Sequence, residues 1–286
     1  VTNRLNYRTL PDFVPFVVRR FPAVRKVTFS FVMTGGSAQQ NAWVIPRMSD
    51  VAPFLCAAFR SAQEHGLTVS NPGCGVPVCY VPEWAAISDE YRELRGATPQ
   101  TVDEIRQNQR EKVKVAACAT CGYEPHCLGL WRGYLALHGE GDVTPVSAAS
   151  AADAPALLPE PPAAARGVRR HHRTPGTNHV IRLTLRCNER CVFCNVPTES
   201  DPGFRPPSPE DVRAELAALA AAGETDREIS FSGGEPLLRR DLPELVLTAR
   251  ELGFERVQIQ TNAHLLDRDR AVALRAAGLT SSFVAY

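Results

Sequence analysis

Three cysteines lie close together in the second half of this 286-residue chain, and their position restricts what that half can fold into. Cys187, Cys191 and Cys194 have the spacing C-x3-C-x2-C and directly follow Val180–Leu185, an apolar run that predicts a β-strand. Three thiolates on one tight loop can hold three irons of a [4Fe–4S] cluster, which normally takes four cysteines. The spacing indicates a catalytic type of metal centre with one open coordination position, or else structural cysteines or part of a zinc site.

A second motif follows one strand–helix unit later. Ile229–Phe231 predicts a short apolar strand, and the sequence Ser-Gly-Gly-Glu-Pro, residues 232–236, comes directly after it. Two adjacent glycines allow the backbone to turn tightly and to approach a ligand closely. Glu235 is therefore expected at the carboxyl end of this strand, and the two motifs could share one rim of a parallel sheet.

Strands and helices alternate over the last third of the chain. The predicted strands are Val180–Leu185, Glu228–Phe231, Arg256–Gln260 and Ser281–Tyr286. The predicted helices are Pro209–Ala222, Arg240–Leu252 and Asp267–Ala277, each followed by a glycine. This alternation predicts an α/β fold with a parallel sheet, in which ligand groups collect at the carboxyl ends of the strands.

The cysteine loop with Gly-Gly-Glu-Pro downstream resembles the radical S-adenosylmethionine (radical SAM) superfamily. The resemblance implies a partial (β/α) barrel of TIM type, with its first four βα units in residues 174–286. It also implies a [4Fe–4S] cluster on Cys187, Cys191 and Cys194, whose open iron is chelated by the methionine part of S-adenosylmethionine. The implied cofactor-binding residues are Phe193, near the adenine, and Ser232, Gly233, Gly234, Glu235, Pro236, Thr261 and Asn262. The family usually has Thr-Asn-Gly at the end of its third strand, whereas this chain has Ala263 after Asn262, and a simple polar turn stays open as the alternative to a cofactor contact there.

The activity implied by the resemblance is radical chemistry. The reduced cluster passes one electron to S-adenosylmethionine, and the resulting 5′-deoxyadenosyl radical removes a hydrogen atom from a substrate. A small electron donor such as flavodoxin or ferredoxin is the implied partner. The substrate cannot be read from the sequence, and a peptide or a small metabolite is the class suggested by analogy.

The first half of the chain has a different cysteine pattern. Lys26–Thr34 predicts a strand, Ser49–His65 an amphipathic helix on which Cys56 packs, and Leu67–Ser70 another strand. The cysteine-rich segment that follows resembles the SPASM or twitch extension of radical SAM proteins, which holds an auxiliary cluster. The implied ligands are Cys79, Cys118, Cys121 and Cys127, with Cys74 as an alternative to Cys79. Zinc stays open as the occupant, because four thiolates also suit zinc.

The two halves of the chain resemble the end of one such protein followed by the beginning of another. We expect residues 1–145 to be the end of one radical SAM unit and 174–286 the beginning of another, joined by an Ala/Pro-rich linker over 146–173. A fragment of a longer tandem protein explains this order, and pairing of the two halves into one permuted barrel is the alternative. The basic run 169–173 is interpreted as a solvated end of the linker rather than as a nucleic-acid contact.

Composition sets the remaining limits. The net charge is +1 and 44% of the residues are hydrophobic, which suits folded domains without a nucleic-acid-binding charge excess. No apolar run is long enough to span a bilayer, and nine cysteines at metal spacings indicate a reducing compartment, so we expect a cytoplasmic protein without membrane contact. Two other classes stay open: a non-catalytic iron–sulfur or zinc-binding protein, and a thiol or zinc module that binds nucleic acid through residues 169–173.

Overall fold

The structure, a computed structural model, describes residues 1–95, 111–152, 179–196, 203–225 and 228–284. The chain divides into two compact units, Val1–Arg170 and His171–Tyr286. The expected linker beyond Ala152 and the basic run 169–173 lie outside the described residues. Within the described part of the chain, no helix has the length and apolar character needed to cross a membrane.

The N-terminal unit contains two small sheets. Strands β1 (Lys26–Thr28) and β2 (Thr68–Ser70) are parallel, and β3 (Lys112–Val113) and β4 (Leu130–Trp131) are antiparallel. The α-helices described in this unit are Leu10–Arg20, Gly36–Gln40, Met48–Glu64, Asp89–Leu94, Arg132–His138 and Ala148–Ala152. The long helix Met48–Glu64 lies between β1 and β2 in the chain, which confirms the predicted strand–helix–strand order.

Three features of this unit differ from the sequence prediction. The strand expected over Lys26–Thr34 ends at Thr28, because the chain then leaves β2 and its Phe31 N–H donates to the Cys74 carbonyl at 2.8 Å. The start of the expected linker is helical at Ala148–Ala152, and Ala151 packs against the buried residues around Tyr123. Cys56 is half-buried on its helix rather than enclosed.

A buried carboxylate fastens the long helix of the N-terminal unit. Asp142 accepts hydrogen bonds from the hydroxyls of Ser49 and Tyr134, and the hydroxyl of Tyr80 donates to it at 3.3 Å. The Tyr134 hydroxyl in turn accepts from the Met48 N–H at 2.8 Å. These bonds join the first turn of the helix Met48–Glu64 to the segment around residue 140, and they satisfy backbone donors that a helix start leaves unpaired.

The C-terminal unit is built on four parallel strands in chain order. They are β5 (His179–Thr184), β6 (Glu228–Gly233), β7 (Arg256–Thr261) and β8 (Ser281–Val284). The connecting helices are Pro209–Ala221, Leu242–Glu251 and Arg268–Ala276. Ser208 begins the first of these through a capping box with Asp211, as the Ser-Pro-Glu-Asp sequence leads one to expect. The structure therefore confirms the α/β fold with a parallel sheet.

The two faces of this sheet have different chemistry. One face presents apolar residues to the three helices, which together form a single buried core; its strand residues are Ile181, Leu183, Ile229, Phe231, Val257 and Ile259. The opposite face carries hydroxyls and amides that hydrogen-bond across strands: Ser232 donates to Gln260 at 2.8 Å, and Gln260 donates to Ser230 at 3.1 Å. This alternation follows from the two-residue period of a strand.

Two glycines allow β5 and β6 to approach closely at their carboxyl ends. A Cβ atom on Gly233, whose φ is +134°, would lie 2.1 Å from the Thr184 carbonyl oxygen. A Cβ atom on Gly234 would lie 2.2 Å from the Arg186 carbonyl oxygen. The pairing also shifts register between Arg182 and Thr184. The Gly-Gly pair is therefore required by the contact between the two strands.

We expect Gly233→Ala to destabilise the C-terminal unit by about 4 kcal/mol or more, since the added methyl group meets backbone and the conformation is strained. The matched control is Gly223→Ala, where φ is +77° but no atom lies within 4 Å of the place that the methyl group would take. That substitution should cost about 1 kcal/mol. Urea unfolding of both variants measures the difference, and equal losses would contradict the close approach of β5 and β6.

Candidate cofactor-binding site

The three cysteines lie on the loop that leaves β5. Cys187, Cys191 and Cys194 are free thiols and half-buried, so a bound group could reach them from solvent. The loop is held locally, because the Cys194 N–H donates to the Cys191 carbonyl at 3.1 Å. The Glu189 N–H points at the Cys187 sulfur, 3.4 Å away. Burial raises the pKa of both Cys187 and Cys191, and neighbouring thiols contribute to each shift.

Glu235 is buried at the end of β6 and binds the end of β7. Its side chain has no exposed surface. Oε1 accepts hydrogen bonds from the Leu237 N–H at 2.9 Å and from the Thr261 hydroxyl at 2.8 Å, and Oε2 accepts from the Asn262 N–H at 2.8 Å. The Glu235 N–H donates to the Arg186 carbonyl at 2.9 Å. One residue thus connects three of the segments that end at this edge of the sheet.

Asn262 extends this network to the cysteine loop. Its side-chain amide donates to the Asn188 carbonyl oxygen at 3.0 Å and points at the Cys187 sulfur, 3.7 Å away. The next residue, Ala263, has a φ of +60°, the left-handed region in which glycine is favoured. Ala263 therefore adopts a backbone conformation that glycine would adopt with less strain.

The structure brings together most of the candidates at this edge of the sheet. Cys187, Glu235, Thr261 and Asn262 form one hydrogen-bonded group, in which the negative charge of Glu235 adds to the rise in the pKa of Cys187. Pro236 is buried at the start of a short 3-10 helix, and Ser232 bonds across to β7. Phe193 is half-buried on the cysteine loop. All of these stay candidates for cofactor binding.

Sequence reasoning missed several residues that support the site. Asn188 contacts Asn262, and the exposed imidazole of His264 lies 3.2 Å from the Glu189 carboxylate. Arg239 binds Asp241 with two hydrogen bonds and donates to the Pro207 carbonyl at 2.7 Å. The sequence Arg-Arg-Asp at 239–241 did not reveal this role, because nothing in it indicates that Arg239 would reach the Pro207 carbonyl.

The cysteines of the N-terminal unit form a separate candidate site. Four of them line one cavity, together with residues that include Pro77, Tyr123 and Gly129. These four are Cys79, Cys118, Cys121 and Cys127. Cys74 does not line this cavity, so the geometry favours Cys79 over Cys74 as the fourth ligand. The His126 ring also lies outside the cavity lining and packs edge-on against Tyr91.

The thiols of this cavity are half-buried and close enough to influence one another. Burial raises the pKa of Cys79, and the neighbouring thiols of Cys127, Cys121 and Cys118 raise it further. Burial and the Glu90 carboxylate raise the pKa of Cys127 to about 12. Among the described residues, no three Cys, His, Asp or Glu side chains are placed to hold a single metal ion.

Comparisons with known proteins place the cysteine loop and the sheet in a wider group. Residues 181–284 match the family model of the radical SAM superfamily. The chain is 42% identical over 101 residues to Fe-coproporphyrin III synthase of Methanosarcina barkeri, a stretch that covers 35% of this chain and 25% of that protein. It is 38% identical over 107 residues to a probable GTP 3',8-cyclase of Archaeoglobus fulgidus, covering 36% of this chain and 33% of that protein.

Two further similarities have the same limited extent. PqqA peptide cyclase of Rhodopseudomonas palustris is 40% identical over 100 residues, covering 35% of this chain and 26% of that protein. The chain thus spans about a quarter to a third of the length of the curated relatives it matches. The solved structure of selenomethionine BtrN in an open conformation matches 38% of this chain and 50% of that chain at 23% identity, with a TM-score of 0.30 that is too low to support a comparison of folds.

We expect Glu235→Gln to destabilise the C-terminal unit by about 1–3 kcal/mol. The NH2 group of the new glutamine would replace one of the two carboxylate oxygens. It would then face either the Asn262 N–H or the Leu237 N–H and Thr261 hydroxyl, all of which are donors. Glu244→Gln is the control, because Glu244 makes only an exposed ion pair with Arg213 and should change stability by less than about 0.5 kcal/mol. Urea unfolding reports both, and a Glu235→Gln variant as stable as its control would contradict the network.

Proposed function

We propose that this chain, whose residues 181–284 form a radical SAM domain, binds a [4Fe–4S] cluster and S-adenosylmethionine and belongs to an enzyme of radical chemistry. Cys187, Cys191 and Cys194 are the proposed ligands of three irons. The observation that carries the proposal is the position of the cysteine loop against Glu235 and Asn262. These residues come from three different strand ends and meet at one edge of the sheet.

The donor set at this edge suits an iron–sulfur cluster. Three thiols sit on one loop, which leaves a fourth iron without a protein ligand. Two N–H groups, from Glu189 and Asn262, point at the Cys187 sulfur. Such donors stabilise the negative charge of a coordinating thiolate, and hydrogen bonds to sulfur are one of the means by which proteins set cluster potentials.

The residues around the loop have separate proposed roles. When bound, the reduced cluster would supply one electron that breaks a carbon–sulfur bond of S-adenosylmethionine, giving methionine and a 5′-deoxyadenosyl radical that takes a hydrogen atom from the substrate. Glu235 uses three acceptor positions on described residues, so about one remains for a donor such as the ammonium of the methionine part, and because its side chain has no exposed surface this contact requires a local shift of the surrounding loops. Phe193 offers an aromatic surface for the adenine, and Ser232 to Pro236 line the methionine end in this proposal.

The different chemistry of the two sheet faces favours a partial barrel over a doubly wound sheet. A doubly wound sheet has helices on both faces, and its strands are apolar throughout. In this unit one face packs on helices, whereas the other carries Ser230, Ser232, Gln258 and Gln260. We propose that this polar face lines the interior of a (β/α) barrel of TIM type, with residues 174–286 as its first four units.

A second cluster is proposed in the N-terminal unit. Cys79, Cys118, Cys121 and Cys127 line one cavity, and four thiols are the ligand number that a [4Fe–4S] cluster normally takes, so an auxiliary cluster of SPASM or twitch type is proposed here, with zinc as the alternative occupant. We propose residues 1–145 as this cluster-bearing tail, residues 146–173 as the linker, and residues 174–286 as the start of the second unit.

The proposed partners follow from the chemistry. The cluster needs a one-electron reductant, and a small carrier such as flavodoxin or ferredoxin is the proposed donor. The substrate is proposed to be a peptide or a small metabolite; the name of PqqA peptide cyclase provides one example of a relative that acts on a peptide. The proposed location is the cytoplasm, since reduced thiols are needed for both clusters.

Anaerobic reconstitution with iron and sulfide tests both centres. We expect about eight irons per chain, falling to about four when Cys187, Cys191 and Cys194 are all replaced by Ala. About four irons falling to none, with zinc retained, would assign zinc to the N-terminal site. The reconstituted chain, reduced in the presence of S-adenosylmethionine, should release 5′-deoxyadenosine. Absence of iron from both proteins would refute the radical mechanism for this chain.

The Asn262 amide provides a more local test. We expect Asn262→Leu to lower the midpoint potential of the C-terminal cluster, because a lost N–H donor to sulfur disfavours the more negative, reduced state. Electron paramagnetic resonance of samples poised at known potentials measures the shift. The N-terminal centre in the same samples is the internal reference. An unchanged C-terminal potential would contradict the role of the Asn262 amide.

A further inference from the structure

Lys112 and Glu90 form a buried ion pair in the N-terminal unit. Their side chains are only 2% and 8% exposed. Lys112 also donates to the Gly73 carbonyl at 2.8 Å, and its ammonium group lies 4.7 Å from the centre of the Trp131 ring. The second oxygen of Glu90 accepts from the Leu128 N–H at 3.0 Å. Each charge therefore has a hydrogen-bonding partner besides the other.

The partners of this pair lie on the segments that carry the four cavity cysteines. Gly73 belongs to the loop that leads to Cys79. Lys112 begins β3, from which the chain continues to Cys118 and Cys121. Leu128 directly follows Cys127. The ion pair is thus bonded to all three cysteine-bearing segments, while Glu90 itself lies on the separate helix Asp89–Leu94.

A close backbone contact beside the pair holds two of these segments together. Gly129 has a φ of +94°, and a Cβ atom there would lie 2.2 Å from the Val113 carbonyl oxygen. The Gly129 N–H points at the Cys127 sulfur, 3.3 Å away. The segment of Cys127 is consequently seated directly on β3, next to Lys112, before any metal is considered.

Buried ion pairs are not justified by stability alone. Removing two charges from water costs several kcal/mol for each ion, and well-packed apolar residues are often as stable in their place. The local feature that distinguishes this pair is its contact with every cysteine-bearing segment.

We propose that the Glu90–Lys112 ion pair arranges Cys79, Cys118, Cys121 and Cys127 around their cavity in the metal-free protein. This inference rests on the proposed N-terminal metal centre, for which it makes Glu90 and Lys112 positioning residues. The centre would then be partly preorganised, and metal binding would not have to supply the full cost of ordering three separate segments.

Thiol alkylation of the metal-free, full-length chain tests the arrangement directly. We expect Glu90→Gln to accelerate modification of the four cavity cysteines by at least about tenfold, because breaking a buried pair costs enough to favour local opening. Cys56, half-buried in the same unit with Glu83, Arg60 and Trp84 as its interacting neighbours, should change by less than about twofold. Mass spectrometry of alkylated peptides gives the rate for each thiol.

Two further variants separate a specific role from general destabilisation. Glu64→Gln removes an exposed charge at the end of the helix Met48–Glu64, in the same unit but outside the cavity lining, and should leave all the rates unchanged. The double variant Glu90→Gln/Lys112→Met leaves no buried charge and should fold stably, yet should still show fast alkylation of the cavity thiols. Wild-type rates in the double variant, or equal acceleration of Cys56 in Glu90→Gln, would overturn the proposal.

Iron retention gives a readout that depends on the metal centre itself. In the chain with Cys187, Cys191 and Cys194 replaced by Ala, iron reconstituted at the N-terminal site should be lost to a chelator at least about tenfold faster when Glu90→Gln is added. If the parent chain binds no metal but Glu90→Gln still exposes the thiols, the proposed centre fails and the arrangement by the ion pair stands. If iron binds and neither rate changes, the ion pair has no positioning role.

Discussion

The buried carboxylate of Glu235 is the interaction on which the C-terminal site depends. It accepts hydrogen bonds from Leu237, Thr261 and Asn262, and the last of these reaches the Cys187 sulfur. A carboxylate without solvent contact would be strongly unfavourable without such partners. The same bonds that make its burial tolerable therefore also fix the ends of β6 and β7 against the cysteine loop, so stability and site geometry have one origin.

The two units hold their cysteines in place with different kinds of polar contact. The C-terminal cysteines sit on one short loop, and neutral N–H donors with a single carboxylate are enough to place it. The N-terminal cysteines lie on three segments, of which the one with Cys79 is far in sequence from the other two, and a buried pair of opposite charges meets all three. Each charge of this pair bonds to one further segment besides its partner, Lys112 to Gly73 and Glu90 to Leu128.

The strands and helices of the C-terminal unit were predictable from sequence because their periodicity is local. The strand ends differ by one or two residues, and the capping residues Ser208 and Asp267 stand directly before their helices. The hydrogen bonds of Glu235 were not predictable from local sequence, since its partner Thr261 is 26 residues away. The sequence placed both residues at strand ends but could not show that they bond to each other. The prediction that the first strand continues beyond Thr28 was wrong for the same reason. Its apolar pattern continues, but its hydrogen-bonding partners change from β2 to the loop at Cys74.

The left-handed conformation of Ala263 has a consequence for how the loop after β7 is held. An alanine in this region is strained by about 1–2 kcal/mol, so the conformation persists only while its neighbours enforce it. The Ala263 N–H donates to the Thr261 hydroxyl, which itself donates to Glu235. The His264 N–H donates to the Asn262 side chain at 3.0 Å, and the Leu266 N–H donates to the Ala263 carbonyl at 3.0 Å. The strain at Ala263 is therefore balanced by hydrogen bonds that begin at the buried carboxylate and end on the far side of the turn.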